Sequence, residues 1–280
     1  MTANLAPWLR STTGFASPRV IYGTAWKRER TRELVTLALT QGFRGLDTAC
    51  QPKHYDEGGV GDGIALAGVA REELYVQSKF TPLAGQDLAR VPYALDAPIA
   101  EQVEQSCQAS LGNLRLDRLD TLILHSPLAS RAQTLAAWRA LEAQVAAGRV
   151  RHLGLSNCYA LAEIDALWRA ASVKPVILQN RFHARTRFDR DLRAFCREHG
   201  LSYQSFWTLT ANPELLATTT VRRLAARYRR TPEQILLRYL TQIDIVPLTG
   251  TASLAHMRDD LAIFEFTLDG NECAAMALLM

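Results

Sequence analysis

The sequence predicts an α/β fold, a single (β/α)8 TIM barrel, on three observations. Short apolar runs rich in β-branched residues and leucine alternate with helical patterns, about eight times along the chain, the order that parallel strands and their crossover helices require. Three of these runs deliver an ionisable residue at their carboxyl ends. Phe43-Arg44-Gly45-Leu46 leads into Asp47, Leu74-Tyr75-Val76-Gln77-Ser78 into Lys79, and Leu119-Asp120-Thr121-Leu122-Ile123-Leu124 into His125. The carboxyl ends of barrel strands are where such a fold keeps its chemistry. Finally, no linker, repeat or low-complexity stretch interrupts the 280 residues, so residues 1–280 read as one domain. An open doubly wound sheet is the competing architecture. It would normally carry G-x-G-x-x-G after its first strand, and none follows Val20-Ile21-Tyr22.

Taken in order, Val20-Ile21-Tyr22 is the first strand, and a helix over 30–40 follows, with Gly42 placed to end it. The second strand runs into Asp47, and the loop after it carries Tyr55. Beyond the Lys79 strand, Ile99, Val103, Cys107 and Leu111 recur at i+4 spacing and predict a helix over 99–111. After the His125 strand, Leu135, Trp138, Leu141 and Val145 make the next apolar stripe, closed by Gly148. Further strands are predicted over 150–155, 176–178, 202–206 and 243–247. Between the last two, Thr231 suits an N-cap, Pro232 the first helical position, and Gln234 completes a capping box.

Bulk properties exclude several classes of protein. Hydrophobic residues make up 48% and charged residues 21%, the balance of a soluble globular chain. No apolar run approaches the roughly 18 residues of a membrane span. The stretch from Met1 to Arg10 lacks the basic start and apolar core of a secretory signal. Net charge is only +4. The densest basic cluster, Arg222, Arg223, Arg227, Arg229 and Arg230, falls on a helical pattern with Val221, Leu224, Ala225 and Tyr228 opposite. It therefore reads as a solvated helix face, not a nucleic-acid or phosphate patch. Cys50, Cys107, Cys158, Cys196 and Cys273 are odd in number and form no C-x-x-C pair, which favours reduced thiols in a cytoplasmic protein. No metal site is read, because His54 and His125 lack further ligands for zinc.

Together, Asp47, Tyr55, Lys79 and His125 look like the tetrad of the aldo-keto reductase superfamily. The strongest matches are Arg44-Gly45-Leu46-Asp47-Thr48-Ala49, the run from Arg71 to Lys79, Leu124-His125-Ser126-Pro127, the run from Gly148 to Asn157, and the run from Thr231 to Tyr239. The resemblance extends from Gly23-Thr24-Ala25-Trp26 to the C-terminal helix. Each segment alone is a weak signal, and Tyr55, Lys79 and Asp47 taken singly would be a loop aromatic, a strand-end charge and a helix cap. Their common order is what carries the resemblance. It implies NADPH-dependent reduction of an aldehyde or ketone to an alcohol by a monomer, with NADH as the alternative cofactor.

On this reading Tyr55 is the proton donor to the carbonyl oxygen. A free phenol has a pKa near 10 and is a poor acid at neutral pH, so the Lys79 cation would lower it. Asp47 would hold Lys79 charged, and His125 would partner the carbonyl oxygen. Trp26, His54 and Phe80 are the expected substrate-pocket residues. For the cofactor, the resemblance implies Ser156, Asn157 and Gln179 at the nicotinamide carboxamide and Phe206 stacked on the ring. Backbone around Trp207, Thr208 and Leu209 would run beneath the pyrophosphate. Gly23, Thr24, Thr249, Arg258 and Asp260 complete the expected cofactor set.

The sequence departs from the family pattern in three places. Asp47 and Tyr55 lie further apart than is usual, so Cys50-Gln51-Pro52-Lys53-His54 must bulge for Tyr55 to reach the site. The usual Pro-Lys-Ser cofactor segment appears as Pro247-Leu248-Thr249, losing the lysine that contacts the 2′-phosphate, and the downstream arginine position falls on His256 or Arg258. The substrate loops are short, which favours an open pocket and bulky or extended carbonyl substrates. Two other functions stay open on the same barrel. One is a redox-neutral isomerase or dehydratase using Tyr55 and His125, and the other is a nicotinamide-binding regulatory subunit.

Overall fold

A computed structural model of the chain describes residues 7–11 and 14–280. Most of the N-terminal stretch read against a secretory signal, Met1 to Ala6, lies outside the described residues. A two-stranded antiparallel hairpin comes first, β1 (Trp8–Arg10) with β2 (Ala16–Pro18). Eight parallel strands then close into a barrel: β3 (Ile21–Gly23), β4 (Gly45–Asp47), β5 (Tyr75–Phe80), β6 (Leu119–Leu124), β7 (Val150–Ser156), β8 (Pro175–Arg181), β9 (Ser202–Phe206) and β10 (Ile245–Thr249), which returns to β3. Around them lie α1 (Thr31–Gln41), α2 (Glu57–Ala67), α3 (Ile99–Leu114), α4 (Arg131–Ala146), α5 (Leu161–Ala170), α6 (Arg190–His199), α7 (Pro213–Leu216), α8 (Thr219–Tyr228), α9 (Pro232–Gln242), α10 (Leu254–Leu261) and α11 (Gly270–Ala277). The fold is a (β/α)8 barrel, and the open-sheet alternative is excluded by its closure.

Helix ends follow the local chemistry of the sequence. Gly42 ends α1 with φ of 119°, a conformation that costs a residue with a Cβ and not glycine, and its N–H bonds back to Ala38 and Leu39 carbonyls. Thr231 and Gln234 form a reciprocal capping box at the start of α9, with Pro232 at its first position. The last strand begins two residues later than 243–247 predicts. Ile243 still donates to Tyr239 and Leu240 carbonyls as the C-cap of α9, and Asp244 turns the chain at φ of 58°. The arginine-rich helix is α8. Val221, Leu224 and Ala225 are buried, Arg222 and Arg223 are exposed, and Arg227 and Arg230 pair with Glu272 and Glu265.

Packing separates two apolar regions. The larger lies between strands and helices and includes Trp138, Leu141, Val103 and Leu122. The smaller fills the lower barrel interior with Phe15, Ile21, Tyr75, Ile123, Ile177 and Val246. Phe15 comes from the hairpin loop and meets Tyr75 and His152 edge-on, at centroid distances of 6.0 and 5.3 Å, so the hairpin plugs the amino end of the barrel. Alternate residues of a strand face one side, so β5 presents Tyr75, Gln77 and Lys79 inward in rising order. Each further step toward the carboxyl end is more polar. Among the described residues no helix is long and apolar enough to cross a membrane, all five cysteines are free, and no cluster of metal-ligating side chains occurs.

Candidate active site

The uppermost tier of the barrel is a buried ion pair. Lys79 extends from β5 and its Nζ lies 2.7 and 2.6 Å from the two carboxylate oxygens of Asp47 on β4, and donates to the Thr48 carbonyl at 2.8 Å. Lys79 is 1% and Asp47 3% exposed, so neither charge would survive there without the other. Burial draws the Lys79 ammonium below its ordinary value, against the pull of the Asp47 carboxylate. Asp47 Oδ1 also accepts from the amide nitrogens of Gln77 at 2.6 Å and Gln179 at 3.0 Å. Both amides turn as well to Gln204 Oε1, at 2.8 and 2.9 Å, and Gln204 returns a bond to Gln77 Oε1 at 3.0 Å. Sequence reasoning passed over Gln77 and Gln204. Each stands among other polar residues, Ser78 and Lys79 on β5 and Ser202 and Ser205 on β9, so nothing local marks it as part of a site.

Tyr55 reaches the ion pair because the segment after Cys50 closes as a turn. His54 and Tyr55 N–H groups both donate to the Gln51 carbonyl at 3.0 Å, and Gln51 itself is anchored to the Gly85 carbonyl at 2.5 Å. The extra residues are absorbed there, as the spacing demanded. Lys79 Nζ then sits 5.3 Å from the Tyr55 ring centroid, and His125 meets the same ring edge-on at 6.1 Å. The expected lowering of the Tyr55 pKa by Lys79 is not found. Burial, and then the Asp47 carboxylate, push the phenol above its ordinary value, because the ammonium's charge is engaged by Asp47 and its hydrogen bonds go to Asp47 and Thr48. His125 is held down to about 3 by burial and by the Lys79 cation, so its imidazole is neutral. Its Nδ1 lies 2.7 Å from the Thr81 hydroxyl. When Thr81 donates, the ring proton sits on Nε2. Thr81 went unnoticed in the sequence, where nothing distinguishes it from any loop threonine.

A cleft of about 900 Å³ opens over this tier, along the carboxyl ends of the strands. Gly23, Asp47, Tyr55, His125, Ser156, Asn157, Gln179, Phe206, Trp207, Leu209, Thr249 and Asp260 all line it, together with Trp26 and His54. Asn157, with φ of 53°, donates to the His125 carbonyl at 2.9 Å, and Ser156 donates to the Gln179 carbonyl at 2.8 Å. Phe206 and Trp207 flank Arg181, whose guanidinium lies 4.2 Å from the Trp207 centroid. Trp26 packs on His54 with ring centroids 3.8 Å apart and the planes tilted by 37°. Both tryptophans are about half exposed, at 56% and 50%, which leaves the cleft mouth open.

Three expected site residues lie elsewhere. Phe80 follows Lys79 and so points to the opposite face of β5, buried in the outer core against Tyr93. Thr24 is fully buried with its hydroxyl on the Asp47 carbonyl at 3.0 Å and presents nothing to the cleft. Arg258 projects from α10 to Gln41 of α1, Nε to Oε1 at 3.0 Å, while His256, two residues earlier and so on the other side of the helix, lines the cleft instead. Gln179 lines the cleft, yet its amide nitrogen is committed to Asp47 and Gln204.

Known proteins place the chain. The model of the aldo/keto reductase family matches residues 19–279. Glyoxal reductase of Bacillus subtilis is 30% identical, over 84% of this chain and 78% of its own. Methylglyoxal reductase DkgA of Salmonella typhimurium is 28% identical, over 97% and 92%. Among solved structures, an aldo-keto reductase of Bombyx mori in complex with NADP superposes with a TM-score of 0.81 at 27% identity, covering 98% of this chain and 93% of that one. A barrel with its ionisable groups at the strand carboxyl ends defines a class of enzyme, and the chain belongs to the aldo/keto reductase family.

Proposed function

We propose that the protein reduces the carbonyl group of a small or extended aldehyde or ketone to an alcohol with a nicotinamide dinucleotide, residues 1–280 acting as one barrel domain. The observation that carries this reading is the Lys79–Asp47 pair lying directly beneath Tyr55, with a neutral His125 at the edge of the same ring. Tyr55, protonated throughout the neutral range because burial holds its proton, is the acid that delivers it to the carbonyl oxygen. Neutral His125, with Nε2–H turned to the cleft, donates a second hydrogen bond to that oxygen without adding a charge that would oppose Lys79. Lys79 places a cation near the developing alkoxide. Asp47 keeps that cation charged in a buried place.

The residues of the cleft fit a nicotinamide dinucleotide. A cavity of about 900 Å³ is at the upper end of the roughly 300–1,000 Å³ of cofactor sites. Phe206 offers an aromatic face, the Asn157 amide oxygen and the Ser156 hydroxyl oxygen offer acceptors while their donor groups are held by His125, Ser156 and Gln179, and the backbone from Trp207 to Leu209 lines the middle. Trp207 holds a left-handed conformation, φ of 55°, that a bulky residue adopts only where the surroundings impose it. When bound, the cofactor supplies the hydride. Support for the substrate class comes from the glyoxal and methylglyoxal reductases among the relatives, and the open mouth extends the range to larger carbonyls.

The test is consumption of reduced nicotinamide, followed by absorbance against a panel of 2-oxoaldehydes and bulkier ketones. Stoichiometric consumption is expected, whereas a redox-neutral isomerase or dehydratase, or a regulatory subunit, would leave the cofactor unchanged. Tyr55→Phe should lower the turnover by about 10²–10⁴-fold, the scale of a lost general acid, while cofactor affinity by fluorescence titration stays near the wild-type value. Wild-type turnover in that variant would move the proton donor to His54 or to water.

A further inference from the structure

The cleft has a second arm, away from Tyr55 and His125, walled by the first turn of α9 and by α10. Gln234 of α9 donates to the Asp259 carbonyl of α10 at 2.9 Å and ties the two walls together. Glu233 and Asp259 both face this arm. Between them and the barrel lies buried Asp260, its carboxylate taking the Thr249 hydroxyl at 2.5 Å. Among the described residues no ion pair includes Glu233 or Asp259. The cations that could offset them are few. Lys27 is bonded to the Gly250 carbonyl, His256 lines the rim, and Arg258 is turned away to Gln41. Leu248 lines the cleft where the family pattern has a lysine.

We propose that this arm receives an unphosphorylated ribose, with Glu233 and Asp259 as the specificity-determining carboxylates, so that the protein takes NADH in preference to NADPH. The inference rests on the nicotinamide reading and reverses the cofactor habit that the family resemblance implies. With the reacting ring beside Tyr55, Asn157 and Phe206, the adenosine half has this arm to occupy. Carboxylates accept hydrogen bonds from free ribose hydroxyls, which is how dinucleotide sites that favour the unphosphorylated form read them, and an arginine is what accommodates a 2′-phosphate. A phosphate monoester brings about −1.5 to −2 charges at neutral pH. Here it would meet two unpaired carboxylates and Asp260, which burial raises to about 6 and which is therefore ionised above that pH. The N-terminus of α10, capped by Ser253, offers roughly half an elementary charge of the opposite sign, less than what faces it.

The experiment titrates the full chain with NADH and, separately, with NADPH, without a carbonyl, following the quenching of tryptophan fluorescence. Trp207 and Trp26 on the cleft wall are the reporters. The Kd for NADH should be lower by about tenfold, near 1.4 kcal/mol, and the gap should narrow as salt rises and screens the repulsion. Glu233→Gln combined with Asp259→Asn should tighten NADPH and close the gap, and Leu248→Lys should tighten NADPH independently. Tighter binding of NADPH by the unaltered protein would overturn the inference and leave the nicotinamide reading standing. So would a binding ratio unmoved by the double substitution. Binding of neither nucleotide would overturn both.

Discussion

His125 shows how position sets the chemistry of one residue. In solution its imidazole would titrate near 6.5. At the top of the barrel burial, and after it the Lys79 cation, hold it down to about 3. Between those two values the unfolded chain takes a proton that the folded one refuses, so the contribution of His125 to stability is present above about pH 6.5 and is lost as the pH falls toward 3. Glu57 and Asp260, which burial holds high, act in the opposite direction as pH falls, so the comparison must be made against a variant. Denaturant midpoints measured at pH 7.5 and pH 5 should fall further in the wild type than in His125→Gln. An equal fall in both would show that His125 is not held neutral. Asp47, Lys79 and His125 were legible in the sequence, each at the end of an apolar run, and Tyr55 in the loop after the first of them. Their electrostatic state was not, because the lowering expected for Tyr55 considered Lys79 alone. The structure adds burial and a carboxylate that engages the same ammonium.

At the scale of elements, the most legible were those whose ends are marked by residues with one structural use. Thr231-Pro232-Glu233-Gln234 predicted the start of α9 and its capping box, and Gly42 and Gly148 marked helix ends where the backbone turns left-handed, at φ of 119° and 74°. Phe80 was misplaced for a local reason. Proximity to Lys79 suggested a pocket residue, whereas the period of two sends neighbours to opposite faces. Arg258 and His256 were indistinguishable in sequence because the rotation of a short helix is set by packing, here of buried Met257 and Leu261. The capping box supports an experiment at this scale. Thr231→Ala removes the side-chain acceptor of the Gln234 N–H, found at 3.2 Å, and should lower stability by about 1 kcal/mol. Thr231→Ser, which keeps the hydroxyl, should recover most of it, as read from denaturant midpoints at an unchanged slope. A Thr231→Ala protein of wild-type stability would mean that water replaces the cap at no cost.

For the whole molecule, the sequence carried the closed barrel in its alternation of strands and helices, but neither of the two features that fill its interior. The β1–β2 hairpin is two strands of three residues each, too short to show a period, and its plug, Phe15, belongs to the loop between them. The polar tier arises from strands distant in sequence, with Gln77 and Gln204 joined across 127 positions, so no local pattern announces it. That tier lies between the apolar floor and the Lys79–Asp47 pair, and through Asp47 Oδ1 it couples β4, β5, β8 and β9. A polar network so buried stabilises only while every member is satisfied. Gln204→Leu removes the acceptor shared by Gln77 and Gln179 and the donor to Gln77 Oε1, and should destabilise by about 2–4 kcal/mol, since each stranded buried group costs about 1–3 kcal/mol. Gln77→Leu should be costly for the same reason. The double substitution should cost less than the sum of the two, with a coupling of about 1–3 kcal/mol in a double-mutant cycle, because each single change leaves the other amide without its partner. Strict additivity would mean that the two glutamines do not act as one network, and that Asp47 is held by Lys79 and Gln179 alone.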